Sequence, residues 1–352
     1  MKILFLDFST RLKTVDDLQT RARGGMVTSL FKMSDYLAAA GHRVYVQSDI
    51  EQAGDTNAGV QWYNDDDVDL LEQETWDFII FNRGTGHGHV EFKAKHRILW
   101  THDLPHNGFI PEPEIMRAFS GVVFMSRYAE WVWRSFYKTI GKSFLIPNGV
   151  DKELFYPRKK DLNYLVYASA PNRGLRRLSL IFDSVSTQQP DVHMNAYSNM
   201  EIMHPNEAPY FDCADDWNKI KEESAINYLD PLPQHEFAEE IGKAGLMILP
   251  TRYPEICSNV ILQALASGTP IVSTGNLGSS GEWIRTGANG YLTDFHVHDY
   301  MIHTLQMVRG VVSILGNKKR HLKLIKNATK TKGIYSWKQI GRKWEKMLAR
   351  LY

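Results

Sequence analysis

The sequence predicts an α/β protein made of two similar halves, each a parallel sheet with helices on its faces. Three observations carry this expectation. Apolar runs of strand length alternate with segments whose apolar residues recur at helical spacing, the pattern of β-α-β units. The pattern runs once from the N-terminus to about residue 146 and begins again at Asn163. Between the two runs Pro147, Asn148, Gly149 and Pro157 punctuate the chain, which puts the domain boundary near Asn148–Pro157. A chain of 352 residues has room for two domains of ~150 residues each.

Taken in order, Ile3–Phe8 reads as a first buried strand rather than a secretory leader, because Asp7 breaks the apolar run and no small-residue cleavage site follows. Thr28–Ala40 is helical, with Leu30, Met33 and Leu37 on one face and a stop at Gly41-His42; Arg43–Gln47 is the next strand. Asp77–Phe81, Arg97–Trp100 and Gly121–Met125 are further strands, Ser126–Phe136 a helix, and Ser143–Ile146 a short strand. In the second half Asn163–Ala168, His193–Tyr197, Leu246–Leu249 and Ile271–Ser273 are strands. Leu175–Ser186, Glu236–Ala244 and Asn259–Ser267 are helices, the last stopped by Gly268 and Pro270, and Gly281–Thr286 is a helical turn. Ser336–Tyr352 is an amphipathic helix with Trp337, Ile340, Trp344, Met347, Leu348 and Leu351 on its apolar side.

Composition narrows the function classes. Forty-one Lys and Arg against 40 Asp and Glu remove a general electrostatic case for nucleic-acid binding. Only Cys213 and Cys257 are present, too few for a stapled scaffold, so a reducing, cytoplasmic location is expected. No stretch approaches the ~18 uninterrupted apolar residues of a membrane span. The basic run Lys318–Lys332 reads as a solvated helix face, which leaves peripheral membrane contact at most.

Candidate functional residues collect where strands end. The run from Pro254-Glu255 to Pro270 follows an apolar strand, so Glu255 sits at a strand-to-helix junction, where open α/β sheets bind ligands. The helix beginning at Asn259 offers free N–H groups that suit a phosphate. Arg21-Ala-Arg-Gly-Gly-Met26 links the first strand to the first helix; Gly24 and Gly25 allow a backbone to approach phosphate closely, and equally make a plain turn. The pair is not the Gly-x-Gly-x-x-Gly fingerprint of nicotinamide enzymes. His102 and His106 follow another strand, but Pro105 lies between them and no third ligand is evident, so metal binding is not expected. Arg173 precedes the first helix of the second half and can meet a diphosphate with a forked pair of hydrogen bonds, whereas Arg176 and Arg177 are directed elsewhere by the helix. Asp151, after the Asn148-Gly149 turn, can accept from the following backbone, and Gly84–His89 reads as a flexible loop beside the first sheet.

Gly24-Gly25, Thr101-His102, Pro147-Asn-Gly-Val-Asp151, Arg173-Gly174-Leu175, Glu255 through Gly268-Thr-Pro270, Gly278-Ser-Ser-Gly-Glu282 and Asn289-Gly-Tyr-Leu292 together resemble glycosyltransferase family 4, in the same order. That resemblance spans the chain from residue 1 to the last helix. It implies a GT-B fold: two facing Rossmann-like domains with a deep interdomain cleft. Residues 1–150 would form an acceptor-side domain, residues 151–335 a nucleotide-sugar-binding domain, and the helix 336–352 would pack back on the first. The implied activity is retaining hexosyl transfer from a nucleotide-diphosphate sugar, of GDP-mannose or UDP-glucose type, to a hydroxyl of a glycan, glycoprotein or glycolipid, without a metal or other cofactor. His102, Arg173 and Glu255 are the implied catalytic residues. Gly24, Gly25, Arg173, Glu255, Ile256, Cys257, Ser258, Asn259 and Gln263 are the implied donor-binding residues.

The sequence also departs from that pattern. Gln263 stands where the family carries a second glutamate for the nucleotide ribose; it keeps hydrogen-bonding capacity without charge. Ile256 and Ser258 stand where glycines are usual, and their bulk should narrow the sugar pocket or change its shape. Ala168 and Ser169 stand where a second basic residue is common. Two other readings therefore stay open: a nucleotide-sugar-binding protein, and a GT-B hydrolase or epimerase acting without an acceptor.

Overall fold

A computed structural model describes residues 1–12, 14–16, 24–84, 92–105, 113–138, 140–199, 222, 225–294 and 299–352. By its contacts the chain divides into two compact units, one of Met1–Gly149 with Tyr335–Tyr352, the other of Val150–Ile334.

The first unit is built on an eight-stranded sheet. Its strands are β1 (Lys2–Leu12), β2 (Arg43–Ile50), β3 (Gly54–Asp55), β4 (Gln61–Tyr63), β5 (Thr75–Asn82), β6 (Lys93–Trp100), β7 (Gly121–Phe124) and β8 (Lys142–Leu145). They lie in the order β3-β4-β2-β1-β5-β6-β7-β8, parallel throughout except for the edge pair β3–β4. Helices α1 (Gly25–Ala39), α2 (Val68–Glu72), α3 (Pro113–Arg117) and α4 (Arg127–Phe136) connect them. Leu30, Met33 and Leu37 of α1 are fully buried, which is why a helix forms with that face inward. Ser126 caps α4 by accepting from the Ala129 amide.

The second unit is a six-stranded parallel sheet of β9 (Asp161–Ala168), β10 (His193–Tyr197), β11 (Asn227–Leu229), β12 (Ala244–Leu249), β13 (Ile271–Thr274) and β14 (Gly290–Thr293). The order β11-β10-β9-β12-β13-β14 is that of a doubly wound Rossmann sheet. Its helices are α5 (Leu175–Gln188), α6 (Gln234–Lys243), α7 (Asn259–Ala266), α8 (Ser280–Trp283), α9 (Tyr300–Leu315) and α10 (Lys318–Ala328). Every residue of β12 is buried, as expected of a central strand covered on both faces. In both sheets the chain winds outward from a first strand, then returns to that strand's other side. The order reverses between β1 and β5 in the first unit and between β9 and β12 in the second.

The last helix, α11 (Trp337–Leu351), belongs to the first unit. Ser336 and Gln339 close a capping box at its start. Trp344 is fully buried, edge-on to Trp100 at 4.8 Å and 6.4 Å from Phe5 between ring centroids. Gly341 and Gly149 are small because of this docking. A Cβ at Gly341 would lie 2.2 Å from the Tyr36 ring, and one at Gly149 would lie 2.8 Å from the Trp337 ring. The glycine of the Pro-Asn-Gly-Val-Asp segment thus makes room for the C-terminal helix, and Asp151 accepts from the Glu153 amide at 3.3 Å.

Several elements carry too little pattern to be read from sequence. Strands β3, β4, β11 and β14 run for only two to four residues. Helix α9 spans 16 residues but leaves Met301, Ile302 and Leu305 exposed while burying Met307, Val311 and Ile314, so apolar residues occupy both sides and blur the helical period. The basic run is helical over Lys318–Ala328 and turns His321, Leu324 and Ala328 inward.

Candidate active site

In doubly wound sheets ligands bind outside the carboxyl ends of the strands, where strand order reverses. In the second unit β9 and β12 flank that point. The segment after β9 carries Arg173 and the segment after β12 carries Glu255.

Two glycines bring these residues together. After β9 the chain makes a single 3-10 turn, Pro171–Arg173, and passes through Gly174 at φ 101° before entering α5. A Cβ at Gly174 would lie 2.0 Å from the Pro250 carbonyl oxygen. Only glycine permits both that left-handed backbone and that approach to the end of β12. On the other side Gly278, at φ 81°, lies so close that a Cβ would sit 2.4 Å from the Glu255 nitrogen. The Ser279 amide donates to the Glu255 carbonyl at 2.6 Å. The backbone of Glu255 is thereby held between β12 and the Gly278 turn.

The side chains then form a compact cluster. Arg173 Nε lies 3.5 Å from Glu255 Oε1, with both side chains largely buried. The Arg173 guanidinium stacks on Tyr253, 3.3 Å from the ring centroid. Its Nη1 is buried with no hydrogen-bond partner, an open cationic donor at the reversal point of the sheet. Thr251 donates to Glu255 Oε1 at 3.5 Å. Burial raises the Glu255 carboxyl above its ordinary pKa, opposed by the Arg173 charge and the Thr251 bond. Beyond Glu255, Ile256 is buried, Cys257, Ser258 and Asn259 are partly exposed, and Gln263 is buried within α7. Ser258, the residue preceding α7, makes no side-chain cap. Arg177 turns away from this cluster toward His303 and Tyr300.

The first unit shows a second set of polar residues at its own strand ends. Gly24 precedes α1 with φ −61°, and a Cβ there would meet nothing within 4 Å, so the folded chain itself does not require glycine. Gly25 opens the helix and is exposed. Asp7, fully buried, accepts from Asn82 Nδ2 at 2.8 Å and from Ser48 Oγ at 3.2 Å, joining β1, β5 and β2. Arg83 follows β5 at φ 76°, the one non-glycine residue with positive φ among the described residues, and pairs with Asp103. His102 leans on Trp100 at 4.6 Å between centroids, and its Nε2 is buried without a hydrogen-bond partner. Burial, helped by the Arg83 charge, pushes its pKa down to about 3, so the imidazole is neutral at pH 7.

Of the residues singled out in the sequence, Arg173, Glu255, Ile256, Cys257, Ser258, Asn259 and Gln263 fall in the second unit, and Gly24, Gly25 and His102 in the first. Arg21, Arg23, Thr85–His89, His106 and Cys213 lie outside the described residues. Sequence reasoning missed Tyr253, Thr251, Asn82 and the Arg83–Asp103 pair. It noted Asp7 only as a break in an apolar run, although a carboxylate in a strand buried on both faces is itself a signal of a polar partner. Among the described residues no three or more His, Cys, Asp or Glu side chains converge to hold a metal, and no helix is long and apolar enough to cross a membrane.

Residues 170–309 match the protein family described as Glycosyl transferases group 1. A comparison with curated proteins found no match. Among solved structures, sucrose-phosphate synthase from Thermosynechococcus elongatus superposes with a TM-score of 0.77 at 14% identity, covering 99% of this chain and 98% of that one. HepE from Anabaena, in complex with UDP and glucose, gives 0.74 at 15%, with 99% of both chains covered. The pneumococcal O-GlcNAc transferase GtfA, in complex with UDP and GlcNAc, gives 0.63 at 14% over 78% of this chain and 56% of that one. A segment of this chain, residues 170–309, is thus similar to the Glycosyl transferases group 1 family, and the chain shares with these solved structures a fold of two Rossmann-like domains.

Proposed function

We propose that this chain transfers a hexose from a nucleoside-diphosphate sugar to an acceptor hydroxyl on a glycan, glycoprotein or glycolipid, with retention at the anomeric carbon. The observation that carries the reading is Arg173, a buried guanidinium with an open Nη1 donor beside the Glu255 carboxylate. Breaking the bond between the sugar and the diphosphate leaves negative charge on the diphosphate oxygen and positive charge on the sugar. A fixed guanidinium stabilises the first, and backbone N–H groups at the start of α7 add to it. Glu255 accepts hydrogen bonds from the sugar hydroxyls. The acceptor oxygen bonds to the anomeric carbon on the leaving-group face, and its proton passes to the departing diphosphate oxygen.

Uridine is the favoured nucleoside of the donor, since HepE and GtfA were each solved with UDP and a sugar. In this reading Val150–Ile334 holds the donor. Gln263 holds the ribose without charge.

Calorimetric titration with UDP-glucose, UDP-GlcNAc and GDP-mannose, followed by assay of donor hydrolysis and transfer, tests the proposal. Arg173→Ala should lower turnover ~10²–10³-fold, the scale of losing one preorganised donor to a developing anion. Glu255→Ala should weaken the apparent sugar affinity. Wild-type turnover in both variants would refute the residue assignments, and free epimerised sugar nucleotide without transfer would replace the reaction class.

A further inference from the structure

We infer that His303, on the first turn of α9 and remote in sequence from Arg173 and Glu255, is a positioning residue for the Arg173–Glu255 cluster. The inference rests on the donor-site reading for its catalytic consequence, but its structural part stands on hydrogen bonds alone.

His303 is fully buried. Arg177 Nη1 lies 3.0 Å from its Nδ1, and Thr274 Oγ1 lies 3.1 Å from its Nε2. A guanidinium can only donate, so Nδ1 must be the accepting nitrogen and the ring proton must sit on Nε2. His303 therefore donates to Thr274, and the Thr274 hydroxyl spends its own proton on the Thr251 carbonyl at 2.8 Å. The result is a one-way relay, Arg177 to His303 to Thr274 to Thr251.

The relay ends on the loop that builds the site. Thr251 Oγ1 accepts from the Tyr253 amide at 3.1 Å and reaches Glu255 Oε1 at 3.5 Å. The Glu255 amide donates to the Tyr253 carbonyl at 2.8 Å. Tyr253 is the ring beneath Arg173. The same turn of α9 grips the loop a second time: Arg252 Nη2 donates to the Tyr300 hydroxyl at 2.6 Å, and Arg177 lies over the Tyr300 ring at 4.1 Å. Residue 251 is thus tied through Thr274 to residue 303, and residue 252 directly to residue 300. A loop held at both points presents Tyr253 and Glu255 in one geometry, which donor binding would otherwise have to select.

Three variants test this in the full chain. His303→Phe keeps a ring and removes both hydrogen bonds. Thr274→Val keeps the β-branched strand residue and cuts the relay at its last link. His303→Gln restores the sequence of one acceptor and one donor. Amide hydrogen exchange of residues 251–255 without ligand, and donor titration with steady-state kinetics, are measured on each. His303→Phe and Thr274→Val should speed exchange at Tyr253 and Glu255 about tenfold or more and weaken donor affinity by a similar factor. His303→Gln should return both toward wild type. A residue that only fills the core would lower thermal stability in all three variants without separating Gln from Phe. Unchanged exchange at 251–255 in His303→Phe and Thr274→Val overturns the inference. Faster exchange in a protein whose wild type binds no sugar nucleotide leaves the relay standing and overturns the donor-site reading instead.

Discussion

Gly174→Ala tests whether the meeting of Arg173 and Glu255 is set by backbone geometry. Two costs add at this position. Alanine at φ 101° takes on left-handed strain of ~1–2 kcal/mol. Its Cβ would also stand 2.0 Å from the Pro250 carbonyl oxygen, so the Pro171–Arg173 turn and the end of β12 must separate by roughly 1 Å. Overpacking of that kind adds ~1–3 kcal/mol, for a total of ~2–5 kcal/mol. The displacement falls directly on Arg173, the neighbouring residue. A misplacement of ~1 Å in a positioning group costs on the order of 10²-fold in rate. Urea denaturation and donor turnover are measured on the variant and on Gly287→Ala. Gly287 sits at φ 79° in the same unit with nothing within 4 Å of its Cβ position, so it carries backbone strain without a clash near the site. Gly174→Ala should lose both stability and turnover, and Gly287→Ala should lose ~1–2 kcal/mol of stability with turnover intact. Equal behaviour of the two variants would refute the claim that close approach to Pro250 positions Arg173.

Two further predictions concern the frame. Lys160 is mostly buried, donates to Thr269 Oγ1 at 2.6 Å, and burial with the Arg158 charge pushes its pKa down to about 7. Above pH 7 the native side chain is neutral while the unfolded one stays protonated up to the ordinary lysine pKa of 10.5. The unfolded state then binds more protons, so stability rises with pH from about 7 to 10, by at most ~4–5 kcal/mol, and the slope vanishes below 7. Urea midpoints at several pH values should show this slope in wild type and its loss in Lys160→Met; parallel curves would show that the lysine stays charged in the fold. Trp344→Ala should destabilise the first unit by ~3–5 kcal/mol, because the ring is fully buried between Trp100 and Phe5. Trp344→Phe should lose less, since the indole Nε1 has no hydrogen-bond partner to forfeit. A denaturation midpoint for Trp344→Ala within error of wild type would mean that α11 is not part of that unit's core.

The two sheets were legible because β1, β5, β9 and β12 are buried on both faces and so read as plain apolar runs. The helices with one buried stripe, α1, α5 and α11, were legible for the converse reason. Helix α9 was not, because its exposed first turns are as apolar as its buried side. At the site, Arg173 and Glu255 could be placed because each follows a strand and precedes a helix. Tyr253 and Thr251 left no mark in the sequence. An aromatic ring under a guanidinium and a hydroxyl beside a carboxylate are ordinary residues made functional by where a loop folds. His102 was found by its position after a strand. That it is neutral follows from the burial of Nε2 and the nearby Arg83, neither visible before the chain is folded.

The absence of a second basic residue ahead of Arg173 has a physical counterpart in this structure. Ala168 ends β9 and Ser169 follows it, and the Ser169 carbonyl is occupied by the Ser198 hydroxyl at 2.6 Å. A diphosphate leaving group would then face one side-chain cation from this turn instead of two. What this chain supplies in return is fixation. Tyr253 supports the plane of the Arg173 guanidinium from one side, Glu255 restrains Nε, and Nη1 is left open. Arginine gains more from fixation than lysine would, because its donors form a planar fork whose orientation is settled once the plane is settled. A preorganised dipole or charge also needs no rearrangement as the leaving group develops charge, and in a water-poor site its effect is larger than in bulk solvent. A single arginine held by stacking and by an ion pair can therefore stand in for a more loosely held pair of cations. On the proposed donor-site reading, residues as distant in sequence as Gly278 and His303 would bear on catalysis by holding the loop on which the arginine stacks.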